Sequence, residues 1–253
     1  VDADGKGYAA GKGPGSTTAG SIGAAHAGKG YNNGAQPYGS VFCPTNWGSG
    51  NSSGCGGGAV HLDVTGTLRV DGRISADGGV SGVYAGAGGS VWIECGTIVG
   101  SGVLSVTEGR RPVNTSNRND CTSSGGRMAV HQRTGLGFAA FPVTQMLTSW
   151  LGSNAAGTIY LQDARSQEVY VTTGTNATYD ATQKTSFPMA ADGDMAKQCR
   201  NVSVTVGPRA QVELPYRVDL TLRDLAMPAS SVKLFVNASS LKIRSIRHRD
   251  GYK

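Results

Sequence analysis

Apolar and polar residues alternate with a period of two in several short runs along the chain. In the stretch from residue 57 to 79, GGAVHLDVTGTLRVDGRISADGG, the side chains of Val60, Leu62 and Val64 fall on one face, and the intervening polar residues fall on the other. A two-residue period broken by glycine is the signal of β-strands separated by turns. The pattern therefore predicts short strands with one buried face.

The same pattern recurs about every thirty residues. The stretch from residue 88 to 109, GGSVWIECGTIVGSGVLSVTEG, superimposes on the first with one gap, and weaker copies follow in GGRMAVHQ and AGTIYLQD, with start-to-start spacings of 31, 37 and 31 residues. Later runs, VSVTV near Val202 and VKLFV near Val232, continue this spacing. The superposition pairs Val60 with Val91, Leu62 with Ile93, Val64 with Cys95, Leu68 with Ile98, Ile74 with Leu104 and Ala76 with Val106.

One short strand cannot bury its apolar face alone, but stacking the same strand from successive repeats makes a continuous core. We therefore predict an all-β fold, a right-handed parallel β-helix (β-solenoid) with about three short strands per coil and little helix. Glycine supplies the tight corners of each coil. The best helix candidate is FPVTQMLTSWL, from residue 141 to 151, as a short insertion or cap. The predicted interior contains Val60, Leu62, Val91, Ile93, Met128, Ile159 and Leu161.

Glycine and charge divide the chain into two parts. Residues 1–109 hold 29 of the 39 glycines and have a net charge of −2, whereas the remaining residues have a net charge of +8. We predict Gly-rich β-helix coils over residues 1–165 and continuing basic β-rich coils, or a C-terminal β region of the same elongated domain, over 166–253. No apolar run is long enough to span a membrane, and no aromatic residues interleave with the basic ones as nucleic-acid binding would favour.

Cysteines and sequons favour a secreted protein. Five cysteines allow fifteen arrangements of two bridges. The simplest pairing joins neighbours in sequence, Cys43 with Cys55 and Cys95 with Cys121, and leaves Cys199 unpaired. Reduced thiols in a cytosolic protein are the alternative. Five Asn-x-Ser/Thr motifs exceed the chance number and predict N-glycosylation. These motifs are at Asn51, Asn114, Asn176, Asn201 and Asn237.

The order of motifs resembles the Gly-rich β-helix segments of very large surface and extracellular proteins of protists and some bacteria. The resemblance covers roughly residues 5–165, through GKGPGSTTAGSIGAAHAGKG, GGGAVHLDVTGTLRVDGRISADGG, AGAGGSVWIECGTIVGSGVLSV, SGGRMAVH and AAGTIYLQD. It implies an architectural role as spacer, adhesin shaft, cell coat or filament, for which protist flagellar hairs are one setting. No catalytic residues come with the resemblance, and the cysteines and sequons are local additions.

Candidate catalytic chemistry is sparse. Glycosidases need two carboxylates about 5–10 Å apart, but the superposition sets Asp71 against Ser101 and Asp77 against Thr107, and we predict that Glu94 meets Asp63 only if the register slips by one residue. His61 and His131 lie at nearly matching places, and we predict a polar face rather than a metal or acid–base pair. His26 is predicted to plug a gap in a Gly-rich coil.

Nucleotide-binding and metal-binding motifs are also weak or missing. The chain has no P-loop or Rossmann spacing, and DADG at residues 2–5 and DGD at 192–194 match only part of a Ca²⁺-binding loop. We therefore predict no catalytic residues, no cofactor and no metal.

The resulting expectation is a non-catalytic structural module of a larger extracellular, cell-surface or filament protein. Its expected partners are neighbouring subunits or further segments of the same protein, with glycans as a further candidate partner, no nucleic acid and no membrane span. The alternatives are a polysaccharide-acting lyase or glycosidase, which stacked acids and basic residues in a cleft would favour, and a carbohydrate-binding adhesin. An exposed aromatic row would favour the adhesin, with Tyr31, Tyr38, Trp47 and Tyr84 as candidates.

Overall fold

The computed structural model is almost entirely β, which confirms the predicted class. Its first part contains β1 (Ala59–Arg69), β2 (Arg73–Ser75), β3 (Val80–Ser81), β4 (Tyr84–Ala85), β5 (Ser90–Val99), β6 (Val103–Ser105), β7 (Arg127–Gln132), β8 (Met146–Leu147) and β9 (Gly157–Gln162). Its second part contains β10 (Gln167–Thr172), β11 (Thr185–Ser186), β12 (Val202–Val206), β13 (Gln211–Leu214), β14 (Asp219–Met227), β15 (Lys233–Val236) and β16 (Ser240–His248). The structure describes residues 1–18, 22–31, 34–82, 84–109, 123–149, 155–172, 184–187, 202–214, 219–227, 232–236 and 240–248.

Eight strands form one long sheet, in the order β1-β5-β7-β9-β10-β12-β14-β16. Two three-stranded sheets accompany it, which we name the first short sheet (β2-β6-β8) and the second short sheet (β11-β13-β15). Neighbouring strands are parallel in all three sheets, except where β9 and β10 pair antiparallel. Strands β3 and β4 form a small hairpin.

The strand register confirms the repeat inferred from the sequence. Val60 pairs with Val91, Leu62 with Ile93 and, after a one-residue irregularity, Leu68 with Ile98. The weaker copies also fall in register, because β5, β7 and β9 align Val91 with Met128 and Met128 with Ile159. On the first short sheet, Ile74 pairs with Leu104 as predicted.

The first hydrophobic core lies between the long sheet and the first short sheet. This core contains all the residues predicted to be inside. Leu62 is half-buried, and the others are buried: Val60, Val91, Ile93, Met128, Ile159 and Leu161. Ile74, Leu104 and Met146 face them from the short sheet. The alternation of apolar residues along β1, β5, β7 and β9 thus determines which face is buried.

The core changes sides where β9 turns into β10. Ile159 and Leu161 belong to the first core, whereas Tyr160, which points the other way, belongs to a second core together with Val169 of β10. From β10 onward the buried residues stay on that opposite face and pack with residues of the second short sheet, such as Val212.

Glycines allow the segments that precede the long strands to stack closely. Gly48, Gly57 and Gly88 donate backbone hydrogen bonds of 2.8–3.1 Å to the neighbouring segment on one side. An added Cβ on Gly56 would lie 1.7 Å from the carbonyl oxygen of Gly48, and one on Gly89 would lie 1.9 Å from that of Gly58. No side chain fits there, which explains the glycine content of the first part.

The later runs VSVTV and VKLFV keep the spacing of the repeat but lie in different sheets: β15 pairs with β13 in the second short sheet, whereas β12 lies in the long sheet. The prediction of a helix in FPVTQMLTSWL was wrong. FPVTQMLTSWL contains a 3-10 turn, Val143–Gln145, followed by β8, which pairs with β6. The apolar spacing in that segment therefore serves a strand: Met146 continues the row formed by Leu104.

Candidate functional site

A ladder of rings crosses the face of β1, β5, β7 and β9 that lies opposite the first core, and it enters the second core at Tyr160 and Phe42. His61 stacks on Trp92 with 3.9 Å between ring centroids and 7° between planes, and His131 lies 6.2 Å from Trp92. Tyr160 meets His131 edge to face at 5.4 Å, and Phe42 caps Tyr160 at 4.8 Å. His61 and Trp92 are register partners on β1 and β5, so parallel stacking brings these two rings together. His131 of β7 pairs instead with Glu94, and Phe42 lies on a segment outside the long sheet.

A charged cluster lies beside this ring ladder. Arg133 donates to Asp63 at 2.6 Å and lies 3.8 Å from Glu94, which in turn accepts a hydrogen bond of 3.1 Å from Nε2 of His61. Asp63 and Glu94 are direct register partners, so the prediction that they meet only after a one-residue slip was wrong. The superposition of Leu62 on Ile93 already implied this pairing.

Opposing effects act on the pKa values of Arg133 in the charged cluster and of His131 in the ring ladder. The hydrogen bond from Arg133 to Asp63 raises the pKa of the guanidinium, and partial burial opposes that shift. Burial lowers the pKa of His131, whose Nε2 donates to the Phe42 carbonyl at 2.9 Å, and Glu94 acts in the opposite direction. His61 and His131 therefore belong to one ladder but bind different partners, the Glu94 carboxylate and the Phe42 carbonyl.

A second polar centre is fully buried beneath the glycine-rich segments. The Arg127 side chain is completely buried and donates to the carbonyls of Tyr38 at 2.9 Å and Ala27 at 3.2 Å. His26 is also completely buried, and its Nδ1 donates to the Gly88 carbonyl at 2.6 Å. Burial and the nearby Arg127 charge lower the pKa of His26 to about 3. His26 thus fills a glycine-lined space as predicted, whereas no sequence signal identified Arg127.

Other carboxylates accept hydrogen bonds from backbone and hydroxyl groups of neighbouring segments. Asp4 accepts from the Asp77 backbone at 2.7 Å, and Asp77 accepts from Ser105 at 2.6 Å and from the Thr107 backbone at 2.7 Å. Burial raises the pKa of Asp77, and the hydrogen bond from Ser105 opposes the shift. Across the described ranges, no group of three or more His, Cys, Asp or Glu residues has the arrangement of a metal site. Residues 192–194, the second partial match to a Ca²⁺-binding loop, lie outside the described residues.

The structure describes three of the five cysteines, Cys43, Cys55 and Cys95. No bond joins Cys43 to Cys55 in the structure, where both are half-buried, and their pairing stays a prediction. Cys95 is a buried thiol on the first core, and burial raises its pKa to about 11. Cys121 and Cys199 lie outside the described residues, so the pairing of Cys95 with Cys121 is also a prediction.

The structure revises one sequon. Asn51 is fully buried, and its side-chain oxygen accepts hydrogen bonds from the backbone of Ser53 at 3.2 Å and Gly54 at 2.9 Å. A glycan needs an exposed acceptor nitrogen, so Asn51 is a turn-forming residue in this fold. The other four sequons, at Asn114, Asn176, Asn201 and Asn237, lie outside the described residues.

The predicted aromatic row is not a continuous exposed surface. Trp47 is exposed and contacts Tyr8 edge to face, but Tyr38 is half-buried and its hydroxyl donates to the Trp47 carbonyl at 2.7 Å. Tyr31 and Tyr84 are half-buried. The rings that do align, in the ladder ending at His61, are mostly covered by one another.

Comparison with known proteins adds no relative. The chain matches no protein-family model, and no curated protein or solved structure is detectably similar to it. Among the described residues, no helix has the length and apolar character required to cross a bilayer.

Proposed function

We propose that the chain folds as a right-handed parallel β-helix and serves as a non-catalytic structural module of a larger extracellular, cell-surface or filament protein. The observation that carries this proposal is the shared register of four strands: the apolar rows of β1, β5, β7 and β9 stack residue on residue. Each repeat gives one strand to the long sheet, and three of them also give one to the first short sheet, as coils of a solenoid do.

The sheet face that carries the ring ladder and the charged cluster supports an architectural role. Its rings cover one another and its charges pair with one another, as for Asp63 with Arg133 and His61 with Glu94. Stacked side chains of this kind stabilise a sheet surface. The depression lined by Asp4, Arg73 and Asp77 is open to solvent, and Arg73 within it is already paired with Asp77.

Location tests this proposal. Antibodies raised against the recombinant chain should label the surface or extracellular filaments of the source cells in immunogold electron microscopy. Treatment of the native protein with an amidase that removes N-glycans should lower its mass, because Asn114 and Asn176 lie in the most polar stretches. Labelling confined to the cytosol, with an unchanged mass, would overturn the proposal.

A second candidate function is action on, or binding of, polysaccharide at the cluster of Asp63, Glu94 and Arg133. The observation that favours it is the direct pairing of Asp63 with Glu94, since glycosidases use two neighbouring carboxylates. Against it, Arg133 already contacts both carboxylates, and the cluster lies on a flat sheet face.

A substrate screen separates the two candidates. The wild-type chain and the Glu94→Gln variant would be incubated with acidic and neutral polysaccharides, and reducing ends, unsaturated products and binding would be measured. The structural proposal predicts no difference between the two proteins. Turnover or binding that disappears in Glu94→Gln would establish the polysaccharide function instead.

A further inference from the structure

The β1 edge of the long sheet is uncovered in the described structure. The Gly58 carbonyl accepts from Ser90, and Val70 donates to Val99, so even-numbered residues of β1 direct their backbone groups toward β5. The odd-numbered residues from 61 to 69 therefore direct theirs toward the open edge. The apolar row is also less covered here: Leu62 and Leu68 are half-buried, while their partners Ile93 and Ile98 are at most 1% exposed.

The opposite edge, β16, has the same incomplete burial. Ile246 is 61% exposed, although its register partner Leu225 is 1% exposed. Leu241 and Ile243 are half-buried against the second core. The apolar spacing of β16 matches that of β5, because Ile243 and Ile246 are three residues apart, as Cys95 and Ile98 are.

The two ends carry complementary halves of one coil. Residues 1–5 lie against β2, with Asp2 bridging to Ser75 in parallel and Gly5 donating to the Asp77 carbonyl at 2.8 Å. These residues supply the short-sheet side of an additional coil, but among the described residues no strand supplies its long-sheet side. β16 supplies a long-sheet strand, and the described part of the chain holds no short-sheet strand beyond β15.

We propose that a second copy of this chain docks head-to-tail, so that β16 of one copy pairs in parallel with β1 of the next and, with residues 1–5 of that copy, completes a shared coil. This proposal rests on the β-helix proposed above. The apolar rows set the register: Leu241 lies beside Leu62, Ile243 beside Val64 and Ile246 beside Leu68. The same register places the Lys242 ammonium opposite the Asp63 carboxylate, which is 60% exposed.

The direction of pairing follows from the two cores. The half-buried rows of β1 and β16 are both covered only if they lie on the same face of the joined sheet. That condition requires a half-turn between successive copies, which makes the two strands parallel. Because the joined surfaces differ, the contact is heterologous and leaves a free edge at each end, so assembly continues into a filament.

Sedimentation velocity over a range of concentrations tests the docking. The wild-type chain should form a series of oligomers, and Ile246→Lys should raise the concentration needed for association by about tenfold or more, because a charge replaces an apolar contact. Leu136→Lys is the matched control, since Leu136 is 53% exposed in the segment after β7, which is not an edge strand. A monomeric wild type, or equal effects of the two changes, would overturn the proposal.

A mixing experiment tests polarity. Thr67→Pro removes a backbone donor from the open edge of β1 and leaves β16 intact, so neither it nor Ile246→Lys should form filaments alone. Their mixture should stop at dimers, each joining one intact β1 to one intact β16. If Thr67→Pro reduces folding, Asp63→Lys takes its place, because it repels Lys242 at an exposed position. Longer species in the mixture would contradict the assigned edges.

Hydrogen exchange distinguishes failure of the docking from failure of the fold. A wild-type monomer with protected amides in both β5 and β7 keeps the proposed β-helix and rejects only the assembly. Unprotected amides in β5 and β7 would reject the fold on which the docking depends.

Discussion

At the scale of single residues, the least predictable feature is the polar centre around Arg127. Arg127 occupies the position that Ser90 and Thr158 occupy in the adjacent strands. Its length lets the guanidinium reach backbone carbonyls of a distant segment, Ala27 and Tyr38, and bind that segment to the long sheet. A buried charge is tolerated only with such partners.

Replacing Arg127 with Met should destabilise the protein by about 2–3 kcal/mol. The change leaves the buried carbonyls of Tyr38 and Ala27 without these donors, and removal of the buried charge offsets only part of that loss. Denaturant unfolding monitored by circular dichroism measures the effect. Arg133→Met, which breaks half-exposed ion pairs instead, should change the free energy of unfolding by less than about 1 kcal/mol. Equal losses would show that the buried contacts are unimportant.

His26 should make the fold sensitive to acid. Its pKa is about 3 in the folded chain, against an ordinary value of 6.5, so below pH 6.5 the unfolded chain binds a proton that the folded chain excludes. Stability therefore falls with decreasing pH, by about 3 kcal/mol between pH 7 and pH 4 from this group. In unfolding titrations, His26→Gln should flatten this dependence. His61→Gln, a change at an exposed ring, should retain it; an unchanged slope in His26→Gln would contradict the assignment.

At the scale of elements, the sequence predicted the strands that belong to the repeated segments. The glycine-flanked alternation identified the strands and their partners, because in-register stacking aligns equal positions, as for Val60 with Val91. It did not predict that the core moves to the other face of the long sheet between β9 and β10. Tyr160 and Val169 are apolar, so their side chains could pack in a core on either face. Nor did it reveal Arg133, whose contact with Asp63 joins residues 70 positions apart. Such contacts depend on which turns bring side chains together, and no local pattern records them.

The glycine segments give an element-scale prediction. A Cβ added at Gly89 would lie 1.9 Å from the Gly58 carbonyl oxygen and 2.6 Å from backbone atoms of Gly57, which cannot move away as a flexible side chain could. Gly89→Ala should therefore destabilise the fold by about 3 kcal/mol or prevent folding. Gly66→Ala is the control, because nothing lies within 4 Å of its added Cβ and the substitution should be nearly neutral. Thermal melts of both variants decide the matter, and a neutral Gly89→Ala would refute the close stacking.

At the scale of the whole molecule, one continuous sheet serves two cores on opposite faces. Strands β1 to β9 bury one face and β10 to β16 bury the other, with Tyr160 and Ile159 of a single strand pointing into different cores. The halves are thus joined by backbone hydrogen bonds across β9 and β10 and by side chains at that boundary. In a stacked structure of this kind, each repeat interacts chiefly with its neighbours.

Core truncations in the two halves should therefore act independently. Ile93 is fully buried in the first core and Leu225 nearly so in the second, and five strand spacings, roughly 24 Å, separate their strands. Ile93→Ala and Leu225→Ala should each remove about 3 kcal/mol, because each leaves a cavity. The double variant should lose the sum within about 0.5 kcal/mol. Hydrogen exchange should show lost protection in β5 and β7 for Ile93→Ala, and in β12 and β14 for Leu225→Ala. A coupling energy well above that limit, or loss of protection in both halves from either change, would show instead that the long sheet unfolds as one unit.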